Sequence, residues 1–284
     1  MPNFDRLKIR GTESVIDERS GQYVFHAADS HALTQAAGYL KYMCGAAENI
    51  YFRGQARLHP TLTPSLFRGR TRQQAQAEAV SNLRAMIKLA TLRATLLSSF
   101  NPIFHEPLFQ HYGIKTTWVD LVDNIWIALW FACHNALTGT KTPRYLHFEK
   151  RSPYKEGEPS YVYILMVGTD RNQTPVPGFF KGPNTQLVDL RIGCPSIFVR
   201  PHSQHGVLFR RVGNQICRPS DYSSCIRGII RANLREALSW LGDGNLLNAH
   251  ALMPPPFYDE GYRILLNLDL PVNARVGTIQ HVGA

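Results

Sequence analysis

The feature that most limits what this 284-residue chain can fold into is a change of pattern near Gly139. Before it, apolar residues recur at helical spacing; after it, they fall into short runs bounded by Pro, Gly and Asn. In the first part, Ala32–Leu40 predicts a short helix, Asn49–Arg53 a short strand and Arg72–Ser98 the longest helix. Asn124–Leu137 predicts a helix with almost no polar face, a core element whose Trp126, Leu129 and Phe131 are packing residues. Beyond Gly139, Tyr145–Phe148, Tyr161–Val167, Ser196–Val199 and Val207–Phe209 predict strands. Helix returns over Ile229–Leu241 and around Leu246–Leu252, and again over Tyr258–Leu266 after the break at Pro254–Pro256. The order predicts an α+β fold: one domain of small mixed or antiparallel sheets with flanking helices over residues 31–270, a leader over 1–30 and a tail over 271–284.

The 31 Lys and Arg outnumber 21 acidic residues, a formal charge of +10, which favours nucleic acid or a phosphorylated ligand as partner. A hydrophobic content of 44% suits a packed core and argues against overall disorder. Five cysteines, at 44, 133, 194, 217 and 225, form no CxxC pair, and Cys194, His202, His205 and Cys217 lack metal-site spacing, so no metal and no disulfide framework is expected. The most apolar stretch, Ile125–Cys133, is too short to span a bilayer and no signal segment is visible; a cytoplasmic protein without a membrane partner is the expectation. The motifs GxSxG, HExxH, GxGxxG and the P-loop are absent, leaving a hydrolase without support.

Three segments carry candidate chemistry. In Tyr51-Phe52-Arg53-Gly54-Gln55 a strand ends on an Arg followed by a Gly that lets the backbone turn or approach a ligand, with Arg57 and His59 close behind. Arg53 there invites an anion; the other reading is a structural Arg paired with an acid. Gln110–Asp120 crowds His111, Tyr112, Thr116, Thr117 and Asp120 into one connection, where Asp120 either enters a pocket or caps the next helix and His111 either binds or packs. Arg200–Phe209 again brings polar residues and a Gly to the start of a strand, or is an ordinary turn. Phe67-Arg68-Gly69 is a near-repeat of Phe52-Arg53-Gly54, a coincidence or half of a basic patch.

Together these segments resemble the FRG domain family, named for the Phe-Arg-Gly signature found at Phe52-Arg53-Gly54 before Gln55. The family's later residues are matched by His111-Tyr112-Gly113, Thr116, Asp120 and Ala128-Leu129-Trp130-Phe131-Ala132, then by Arg200, Gln204, Gly206 and Phe209, in order over about residues 32–265. The chain departs at Thr117, where the family more often has Arg, and at Val122, where a small hydroxyl residue is common. A more distant similarity, in Arg53 and the order of elements, is to ADP-ribosyltransferases whose opening strand carries an Arg that helps hold NAD.

That second resemblance implies an ADP-ribosyltransferase-like fold and NAD as substrate, gripped by Phe52, Arg53, Gly54, Gln55, His111, Tyr112 and Thr116. It implies catalytic roles for Arg53, Asp120 and Gln204, with Gln204 standing where such transferases usually place a Glu. A Gln accepts a ribose hydrogen bond but is no general base, so the acceptor needs no deprotonation or a carboxylate enters the site from Asp120, Glu158 or Glu260. The positive charge, with Arg57, Arg68 and Arg72 as nucleic-acid contacts, favours DNA or RNA as acceptor, DNA first, with protein acceptors open. Modifying nucleic acid would block replication or translation, the work of a toxin or antiviral effector, and a regulatory partner or antitoxin goes with such a role. The alternative is a non-catalytic module that holds nucleic acid or a nucleotide on a phosphate-binding face of Arg53, Arg57, Arg68 and Arg72.

Overall fold

In the computed structural model, which describes residues 9–18, 20–45, 47–138, 145–153, 160–213, 220–242 and 247–282, the strand bearing Arg53 lies inside a nine-stranded sheet. In chain order the strands are β1 (Thr12–Ile16), β2 (Tyr23–Ala27), β3 (Glu48–Gln55), β4 (Val119–Val122), β5 (His134–Thr138), β6 (Tyr145–Lys150), β7 (Tyr161–Asp170), β8 (Phe179–Lys181), β9 (Thr185–Asp189), β10 (Gly206–Arg211), β11 (Ile226–Asn233) and β12 (His281–Val282). The longer helices are α1 (Ser30–Cys44), α2 (Gln73–Arg93), α4 (His105–His111), α5 (Ile125–Cys133), α8 (Leu234–Trp240) and α10 (Glu260–Leu266), with short turns α3 (Thr95–Ser98), α6 (Leu190–Gly193), α7 (Val199–Ser203) and α9 (Ala249–Leu252) between them. The large sheet runs β1-β2-β11-β7-β3-β4-β10-β9-β8, and β12-β6-β5 form a second sheet.

Two faces of the large sheet carry different loads. Helix α1 starts where the Asp29 carboxylate accepts the Ala32 N–H at 2.7 Å, and buries the stripe Ala32, Leu33, Ala36, Ala37 and Leu40 against the sheet. Beside it lies α5, capped by Asn124 and apolar almost throughout, which packs on β3. Gly54 makes that seat possible: a Cβ there would overlap the Ala128 carbonyl. The opposite face is covered by alternating side chains of β4, β7 and β10, among them Leu121, Leu165 and Val207, and the stripe Ala79, Leu83, Met86 and Ala90 of α2 joins Trp118, Phe198 and Tyr262 in a separate cluster. Each large apolar side chain so buried contributes about 1.5–3 kcal/mol.

The structure corrects the sequence reading at several points. Ile229–Leu241 is not one helix: its β-branched Ile229 and Ile230 belong to β11, inserted between β2 and β7, and helix begins only after Asn233 caps α8. The apolar helix ends at Cys133 and passes directly into β5 rather than running to Leu137. No strand forms over Ser196–Val199; Phe198 is apolar because it plugs the core against Gly261, where a Cβ would overlap its ring. The leader and tail are not appendages, since β1 and β2 extend the large sheet and β12 pairs in parallel with β6. The main sheet is large rather than small. Glu158, Cys217 and Leu246 lie outside the described residues.

Candidate functional site

Strand β3 pairs along its whole length with β7, Glu48 opposite Asp170 and Gln55 opposite Tyr163, but with β4 it shares a single pair, Phe52 opposite Val122. Where that ladder stops, the side chain of Arg53 crosses the gap and its Nη1 donates to the Asp120 carbonyl at 2.8 Å. A cavity of about 300 Å³ opens at this place. Phe52, Arg53 and Gly54 bound it on β3 and Asp120–Val122 on β4; Ala128 and Phe131 of α5, with Leu146, Phe148 and Val282 of the small sheet, give it an apolar side. Gln110, His111, Tyr112, Arg200 and Gln204 give it a polar one.

Asp120 is the carboxylate of this cavity. Its side chain is 37% exposed, opening into the concavity. Oδ2 accepts from Gln110 Nε2 at 2.7 Å, and Oδ1 faces His111 Nδ1 at 3.3 Å. Burial alone would raise this carboxyl; the His111 hydrogen bond, the Arg53 charge and the Gln110 amide outweigh it and hold it below the ordinary carboxylate value, so it is ionised near neutrality. Asp120 sits in β4 and does not cap α5, a role taken by Asn124. His111 turns its Nε2 onto Gly206, whose missing side chain makes the room, so the ring serves Asp120 through Nδ1.

Gln110 holds this corner together. Its Oε1 accepts from the Thr116 N–H at 3.1 Å, from Thr116 Oγ1 at 2.7 Å and from Ser65 Oγ at 3.2 Å, which leaves Nε2 aimed at Asp120. Thr116 is fully buried behind Gln110 and does not line the cavity, so its expected cofactor contact is replaced by a positioning one. Gln55, the last residue of β3, is not in the cavity wall either. Gln204 does line it, but its Nε2 is committed to the Leu252 carbonyl at 2.9 Å and to Met253 Sδ. Of the alternative carboxylates, Glu260 is exposed, pairs with Arg263 and is not among the cavity residues.

The inner part is built on Asp259, which is fully buried and accepts from the Tyr112 hydroxyl at 2.7 Å, the Arg200 N–H at 3.0 Å and the Tyr262 N–H at 2.8 Å. Burial first, then Asp259, pushes the Tyr112 phenol well above its ordinary value. Sequence reasoning did not assign a role to Gln110 or Arg200; both stand in the two polar segments it singled out, and a residue-by-residue count of hydrogen-bonding groups there was the available signal. Phe131, expected to pack, also forms cavity wall.

Outside the cavity the charge is one-sided. Burial lowers the Arg53 guanidinium, opposed by Asp120 and reinforced by Arg68. His59 is lowered by burial and then by Arg57, Arg68 and Arg53, which places these three cations around one imidazole. Arg57, Arg68 and Arg72 are exposed; Arg68 Nε donates to the Thr63 carbonyl, and Arg72 precedes α2 without capping it through its side chain. Among the described residues, no group of three or more His, Cys, Asp or Glu is placed to hold a metal, and no helix is long and apolar enough to cross a membrane.

Seven buried side-chain nitrogens among the described residues have no hydrogen-bond partner, and four of them, Arg53 Nε, His111 Nε2, Arg200 Nε and Arg200 Nη2, belong to residues of this one cavity. Buried polar atoms are rarely left so, and three of the four are guanidinium donors, which suits an anionic ligand against an apolar wall. No curated protein matches the chain, and no solved structure does. Residues 48–141 match the family model of the FRG domain; this is the segment that spans Arg53, Gln110, His111, Asp120 and α5, and it supplies most of one wall of the cavity.

Proposed function

We propose that the cavity binds NAD and that the protein transfers its ADP-ribose to a nucleic-acid acceptor, DNA before RNA. The observation that carries this reading is the meeting in one cavity of an arginine with an unbonded Nε, Arg53, and an ionised carboxylate, Asp120. Arg53 holds a phosphate by charge-assisted hydrogen bonds, and Phe52, Phe131 and Phe148 give a flat ring an apolar surface. In the transfer, the bond from ribose C1′ to nicotinamide nitrogen breaks with its electron pair leaving on nicotinamide. An acceptor nitrogen or oxygen bonds to C1′, and its proton passes to Asp120. The same carboxylate stabilises the positive charge that develops on the ribose. Asp120 thereby takes the part that Gln204, with its amide nitrogen tied to Leu252, does not fill. Arg57, His59 and Arg68 beside Arg53 attract the polyanionic acceptor.

The same cationic group favours a second reading, a non-catalytic module that holds nucleic acid by its phosphates. Nicotinamide release from labelled NAD, with DNA, RNA or no acceptor, separates them. Release with label transfer that needs Arg53 supports the transferase. No release, together with nucleic-acid binding that weakens steeply with salt, supports the module and sinks the transferase.

A further inference from the structure

Arg200 is 3% exposed, lines the cavity and has its guanidinium carbon 4.4 Å from the ring centroids of both Tyr112 and Tyr262. Nη1 donates to the His111 carbonyl at 3.0 Å, while Nε and Nη2 are buried without a partner. The N–H of Nε and one N–H of Nη2 point the same way and form the side-on fork of a guanidinium, the geometry that takes two oxygens of a phosphate or carboxylate. Asp259, the acid of this corner, spends its oxygens on Tyr112, on the Arg200 backbone and on Tyr262. A buried cation left without a paired fork is costly, and a purely structural arginine is held by its acids on that side.

Arg200 and Arg53 are also linked. Arg200 bonds the His111 carbonyl, His111 Nδ1 faces Asp120 Oδ1, and Arg53 bonds the Asp120 carbonyl, so the two arginines end one chain of contacts with the carboxylate between them. We infer that Arg200 is a second anion anchor of the cavity and that the ligand carries two linked anionic groups, as the pyrophosphate bridge of a dinucleotide does. The choice of dinucleotide rests on the NAD reading; the anchor itself does not.

The test is calorimetric titration of the full chain with inorganic pyrophosphate and with NAD, on the native protein, Arg200→Gln and Arg200→Lys, with melting temperatures of the unliganded proteins. Pyrophosphate binds the native protein, and both variants melt as the native protein does yet bind pyrophosphate at least tenfold more weakly, Arg200→Lys included because it keeps the charge and loses the fork. Native-like pyrophosphate binding by Arg200→Gln overturns the inference, as does absence of pyrophosphate binding to the native protein, or unfolding of both variants. Nicotinamide release is read separately. Its absence alongside Arg200-dependent pyrophosphate binding sinks the transferase and keeps the anchor, whereas release and NAD binding undiminished in both variants sink the anchor and keep the transferase.

Discussion

Two arginine sites beside β4 differ in what surrounds the guanidinium. Arg191 gives Nε and Nη2 to Asp189 at 2.9 and 2.7 Å and Nη1 to Asp123 at 2.8 Å, and Asp123 also faces His205 Nδ1 at 3.0 Å. The bond to Asp189 raises its affinity for the proton, and Tyr51 beside this network is pushed up to about 12, first by burial and then by the two aspartates. Arg53 and Arg200 instead donate through one nitrogen each to a carbonyl and leave buried N–H groups over. Arg191 is finished by its own acids; the cavity arginines are not. The residue type is the same, and the number of bonds the guanidinium makes differs.

The largest effect sets the scale on which that comparison is read. Gly54→Ala drives a side chain into the Ala128 carbonyl, a backbone atom that cannot step aside, and is expected to cost more than about 3 kcal/mol or to prevent folding, as measured by urea unfolding. Next come the two arginine types. Arg191→Ala strands two carboxylates and is expected to cost about 2–3 kcal/mol of stability, while Arg53→Ala leaves the unfolding midpoint nearly unchanged and weakens NAD binding by about 100-fold. Equal destabilisation by the two would erase the distinction. Asp120→Asn sharpens it from the acid side: nicotinamide release falls about 10²–10⁴-fold with NAD binding retained. For native protein, acid should act the same way. The folded-state carboxyl titrates below its unfolded value, so its contribution is present above the ordinary carboxylate range and is lost as pH falls through the lowered value, seen as release failing only below that ordinary range.

The smallest effect concerns His59. Burial first, then its neighbours Arg57, Arg68 and Arg53, lower it, so stability linked to this imidazole is present above its ordinary value and declines as pH falls. A polyanion that neutralises those arginines should raise it again and take up a proton. Oligonucleotide affinity is then expected to improve a few-fold between about pH 7.5 and 5.5, with the His59 resonance shifting upward in an NMR titration. An unmoved His59 would place the nucleic acid elsewhere.

What could be read from the sequence followed from local pattern. The stripe of α1, the alternation into Arg53, the length of α2 and the run of β7 all announce themselves by periodicity. β11 and Phe198 misled because apolar content was taken for its commonest local cause, whereas the sheet recruited one and the core the other. β2 and β12 are tied to strands far away in the chain, β11 and β6, which no short window contains, and β1 is held through its pairing with β2. Arg53, His111, Tyr112, Asp120 and Gln204 line one cavity. That Thr116 works through Gln110, and that Nε and Nη2 of Arg200 have no partner, depends on hydrogen-bond geometry no spacing rule specifies.

The seat of α5 on β3 changes what the Phe-Arg-Gly signature can be used for. Gly54 is required by the neighbouring backbone whether or not any ligand ever enters, while Arg53 is held at that place by one bond to the Asp120 carbonyl and is free of the steric constraint. A chain that lost its chemistry would still need the glycine to fold. A search keyed on the three letters therefore sorts sequences by architecture, and a sorting by the proposed transfer has to ask instead for the arginine together with the carboxylate at the position of Asp120.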